Sequence, residues 1–173
     1  MIRTMFSAAA LIWALPVAAQ TVTIATGEQV EVTVSDTGVA VAGRSKAQPS
    51  PWELWMGGEF DAGKHDDASG TNPKAGTDDG VGPNAPTPAP DMLRIRLTAT
   101  EKGNALLVIE NGYAEGMIYR ARMTSGGRSA PTDVCIVLPG LVGIEHWPFP
   151  IDAMTLSDIR LVPWQSGDDV PCA

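Results

Sequence analysis

The stretch QVEVTVSD, residues 29–36, sets Val30, Val32 and Val34 on one side of an extended chain and Glu31 and Thr33 on the other. Side chains of a strand alternate between its faces, so this segment reads as a strand with one apolar and one wet face. The same period recurs along the chain. MLRIRLTAT points Leu93, Ile95 and Leu97 one way and Arg94, Arg96 and Thr98 the other. ALLVIENG, from Ala105, is apolar on both faces, the mark of a central strand. GMIYRARM sets Met117, Tyr119, Ala121 and Met123 against Ile118, Arg120 and Arg122. DVCIVLPG and MTLSDIRLVPW supply further strands, and Asp36-Thr37-Gly38 and Glu101-Lys102-Gly103-Asn104 are turn sequences. Nothing after the N-terminus shows sustained helical periodicity over ten or more residues. About seven or eight short strands with turns between them predict an all-β fold, an antiparallel β-sandwich.

Residues 106–123, from LLVIEN to YRARM, resemble the rhythm of exported sandwich domains, which implies an immunoglobulin-like arrangement. Such a resemblance concerns architecture and carries no function with it.

Residues 1–19 read as a cleaved signal peptide. Arg3 is its positive start, SAAALIWAL its short apolar centre, and Val17-Ala18-Ala19 fits the small-residue rule for cleavage before Gln20. The expected mature chain, 20–173, is one sandwich domain in the periplasm or secreted. No later apolar run approaches the roughly 20 residues of a membrane span. Both cysteines, Cys135 and Cys172, fall in the mature chain, and an oxidising compartment favours their pairing.

The chain carries a formal charge of −8, and loss of Arg3 with the leader leaves −9. Nucleic acid and anionic membrane surfaces would be repelled. The expected partner is a protein or another envelope component, with inhibition of a basic enzyme such as a lysozyme as one variant.

Between Asp61 and Asp91 lie five Gly, five Pro and six Asp in 31 residues, with Val81 the only large apolar side chain. This stretch cannot form a core and is expected to be a flexible excursion from the domain. The preceding PWELWMGGEF is too apolar for a linker and should dock on the domain. Asp66, Asp67, Asp78 and Asp79 are hard oxygen donors, but their spacing departs from an EF-hand, so metal binding there is at most weak.

Candidate site residues fall in two groups. Arg94, Arg96, Arg120 and Arg122 would form an anion-binding patch if their strands were neighbours, unless Glu31, Glu101 or Glu110 neutralised them. IEHWPFPI, residues 144–151, holds His146, Trp147 and Phe149 beside Pro148 and Pro150. The prolines rule out a central strand and predict a stiff extended bridge with both aromatics on one side, serving as an edge clamp or a binding platform. No cofactor is expected. The enzymatic alternative, a small hydrolase or metal-dependent enzyme, would centre on His146 with Glu145 and a nearby Asp133 or Asp152.

Overall fold

The computed structural model describes residues 21–64, 82–168 and Cys172. The expected leader and His65, Asp66, Asp67, Asp78 and Asp79 lie outside the described residues. The strands are β1 (Val22–Ala25), β2 (Glu28–Ser35), β3 (Gly38–Lys46), β4 (Leu93–Ala99), β5 (Ala105–Asn111), β6 (Gly116–Ser125), β7 (Arg128–Thr132), β8 (Val142–Trp147) and β9 (Ala153–Val162), with one helix, α1 (Pro51–Asp61), after β3. They form two antiparallel sheets, β1-β9-β6-β7 and β3-β2-β4-β5-β8.

The alternation read in the sequence is the packing pattern. Val30, Ile95 and Leu107 of the five-stranded sheet meet Ile24, Met117 and Leu156 of the four-stranded sheet in one core. Each such side chain contributes about 1.5–3 kcal/mol when fully buried. The outer face of the four-stranded sheet is wet, with Arg120 and Arg122 exposed on β6. β5 is buried along its whole length because its second face, Leu106 and Val108, lies under α1.

Two expectations need correction. Nine strands are described in place of seven or eight, and PWELWMGGEF docks as a helix. The helix escapes a count of apolar period because half its buried face is not apolar. Trp52, Glu53, Met56 and Gly57 make that face, spaced as one stripe of a helix. Its start is a capping box: Ser50 Oγ accepts from Glu53 N at 3.2 Å, and Glu53 Oε2 accepts from Ser50 N at 3.0 Å, with Pro51 opening the first turn. Gly57 and Gly58 each cost about 1 kcal/mol against Ala in a helix, so α1 depends on docking. Gly57 fits closely, since a Cβ there would stand 3.2 Å from Thr100 Cγ2. The far end is tied down by Asp61, which accepts from Thr100 Oγ1 at 2.9 Å, Asn104 Nδ2 at 2.8 Å and Lys102 N at 3.2 Å in the β4–β5 turn.

Of the expected excursion, residues 82–91 run back along the domain. Gly82 lies against the Trp55 ring and Ala85 packs on the α1 cluster. Asp91 N donates to Gly112 O, and a Cβ at Gly112 would fall 1.7 Å from Ala89 O, so only glycine fits that crossing.

A disulfide joins Cys135 to Cys172 across 37 residues. A loop of this size contributes about 4 kcal/mol in the chain-entropy account, the upper end of the usual range. Reduction, or Cys135→Ala with Cys172→Ala, is expected to lower unfolding stability by about 2–4 kcal/mol, read from urea denaturation.

Candidate functional site

The four arginines do not converge. Arg94 and Arg96 lie on β4 of the five-stranded sheet, while Arg120 and Arg122 lie on β6 of the other sheet. Each pair answers to local partners. Arg120 Nε stands 3.5 Å from Asp158 Oδ2, both largely exposed, and Arg122 donates to Ser129 O at 3.4 Å.

Arg94 and Arg96 enter a network roofed by α1. Arg96, 4 % exposed, donates to Glu53 Oε1 through Nε at 2.7 Å and also through Nη2, and reaches Glu110 Oε1 at 2.6 Å. Arg94 bridges Glu110 Oε2 at 3.1 Å and Glu31 Oε1 at 3.4 Å. Burial works against the Arg96 charge, and the Glu53 and Glu110 carboxylates overcome it and raise its pKa. The missing partner in the sequence reading was Glu53. Its signal was Ser50-Pro51-Trp52-Glu53, a capping-box pattern ahead of an apolar patch.

The histidine stretch is divided by its own strand. Val142, Ile144 and His146 of β8 face α1, where the His146 ring stacks on Phe60 at 4.7 Å between centroids. Glu145 points the other way, between the sheets, and accepts from Cys135 N at 3.1 Å. Neighbouring residues of a strand leave it on opposite faces. Glu145 therefore cannot orient His146, which the enzymatic alternative required.

Trp147 is 9 % exposed and belongs to the inter-sheet core, its Nε1 donating to Thr132 Oγ1 at 2.9 Å. The chain bends at Pro148 and Phe149, leaving Phe149 39 % exposed, so the two aromatics do not share one platform. Among the described residues, no group of three or more His, Cys, Asp or Glu is placed to hold a metal ion.

Glu145 itself is perturbed. Burial raises its pKa, partly opposed by the Cys135 N–H, and the same carboxylate, after burial, pushes the Tyr119 hydroxyl well up. A carboxyl with a raised folded pKa stabilises fully below its unfolded value, near 4.5, and that stability is lost as pH rises through the folded value. Glu145→Gln should flatten the melting-temperature profile above pH 4.5 and leave stability below it unchanged.

The sheet edges differ from one another. At one side of the sandwich, Trp147 of β8 reaches Thr132 of β7, and Val137 packs against Gly143. β7 also carries Pro131, which cannot donate to a further strand. At the other side, Arg44 Nη1 of β3 donates to Thr23 O of β1 at 2.8 Å, occupying an edge strand of only four residues. β3 remains. It is nine residues long and mostly exposed, and Val41 is 44 % exposed.

The ladder shows which groups β3 leaves open. Ser35 and Gly38 close the hairpin as a hydrogen-bonded pair, so alternation makes Val34–Val39 and Val32–Val41 the non-bonded pairs. Val39 and Val41 thus turn their N–H and C=O groups away from β2. A bulge between Glu31 and Val32 then shifts the register, with Gly43 opposite Glu31. Strand alternation in the sequence does not single out this edge, because it does not give a strand's place in the sheet.

Comparison with family models, curated proteins and solved structures finds no match.

Proposed function

We propose that this is an exported, non-enzymatic β-sandwich of the bacterial cell envelope that binds another polypeptide, and that β3 is the binding edge. The observation that carries the reading is that, among the described residues, the backbone of Val39 and Val41 is open on a long edge strand, beside three edges that are short, proline-bearing or bridged by side chains. Such an edge is a template for an added strand, with main-chain hydrogen bonds giving affinity and alternate side chains giving selectivity. The leader-like N-terminus and the cysteine pair support export into the periplasm or beyond. The immunoglobulin-like likeness extends to two facing antiparallel layers, and the order β3-β2-β4-β5-β8 is built instead from two sequential hairpins joined through β2 and β4.

The test uses a photo-crosslinker at Ala40, which is exposed on β3, and at Arg122 on the far sheet as control. In envelope extract, the reading expects a defined polypeptide adduct from Ala40 alone, lost when Val41→Pro is added. Equal adducts from both positions, or an adduct indifferent to Val41→Pro, would overturn it.

A further inference from the structure

We infer that the strand accepted by β3 is the β3 of a second copy of this chain, an inference that rests on the edge reading above. The edge is self-complementary. An antiparallel pairing with its twofold axis at Ala40 sets Val39 opposite Val41 of the second copy, and Val41 opposite its Val39. Both members of each pair direct their backbone groups outward, so each pair makes two main-chain hydrogen bonds.

The side chains fit the same register. Val39 is 9 % exposed within the core, whereas Val41 overhangs at 44 % on the same face. Directly opposite residues of a bonded pair project to one face, so each overhanging Val41 comes to rest on the other copy's Val39. The bulge beyond Val41 limits the regular ladder to the Gly38–Ala42 portion, which makes the association reversible and dependent on concentration.

Val41→Pro removes an N–H that β2 does not use, so the monomer keeps its ladder while the dimer loses two bonds. Val41→Lys places a charge on the twofold seam and tests the edge without proline. Sedimentation equilibrium across a range of concentrations is expected to show a monomer–dimer equilibrium for the mature wild type. Each variant should raise the dissociation constant at least about tenfold, the equivalent of about 1.4 kcal/mol, with melting temperature little changed. Crosslinking at Ala40 in purified protein should give a homodimer adduct. A wild type that stays monomeric at all concentrations, or variants that dimerise as well as wild type, would overturn the inference. In the first case, an Ala40 adduct to a different envelope protein, still lost in Val41→Pro, would leave the edge reading standing. No adduct of either kind would sink both.

Discussion

Arg96→Ala is expected to destabilise the protein by about 3–5 kcal/mol, the cost of leaving buried charge without its partner. Among the described residues, Arg96 is the one cation that touches both Glu53 and Glu110, whose side chains are 1 % and 2 % exposed. Removing it leaves the buried Glu53 carboxylate without this cation and Glu110 with Arg94 alone. Arg94→Ala should cost far less, about 1 kcal/mol at most, because its side chain is 30 % exposed and water can replace it. The comparison separates a buried network from surface pairing. Replacing Arg96, Glu53 and Glu110 together by Met, Leu and Leu should recover most of the loss, since apolar side chains of similar volume can substitute for a buried ionic cluster. Urea denaturation of the four proteins checks this. A loss below about 1 kcal/mol for Arg96→Ala would mean that α1 does not seal the network from water.

Trp147→Ala carries the second large effect, expected at about 3–5 kcal/mol. The indole fills the core beside β7 and spans the two sheets through Thr132. Its loss removes apolar contact and opens the side of the sandwich at once. Phe149→Ala, two residues on, should cost about 1 kcal/mol or less, because its ring is 39 % exposed. Equal losses at the two positions would contradict the division of this stretch into a buried clamp and an exposed neighbour.

The alternation of Val30, Val32 and Val34, and the two apolar faces of β5, were legible because strand periodicity is local and needs no partner. The helix was not legible by the same method, since its docking stripe includes Glu53 and Gly57, one chosen for Arg96 and the other for clearance against Thr100. Capping chemistry at Ser50 was the local signal that remained. The arginine patch failed for a different reason. Face alternation tells that Arg94 and Arg96 share a side, and likewise Arg120 and Arg122, but not which sheet each strand joins. Sheet membership depends on long-range pairing, β4 with β2 and β6 with β9. The open edge at β3 belongs to this class as well: a strand is visible in sequence, whereas an edge is defined only by the neighbour it lacks.

The Glu145–His146 pair shows a rule that sequence proximity conceals. Adjacent residues of a strand are the ones least able to cooperate, because the pleat sends them to opposite faces. Here one serves the contact with Phe60 and the other the Cys135 segment, each completing a different layer.

The open edge of β3 is tested most directly by site-resolved amide hydrogen exchange in dilute protein, where association is minimal. Ala40 donates within the ladder to β2, whereas the N–H groups of Val39 and Val41 face outward. The account requires fast exchange at Val39 and Val41 with slow exchange at Ala40 between them, and protection of the two valines as concentration rises. Valine amides as protected as Ala40 in dilute protein would contradict it, because the edge would then already be covered.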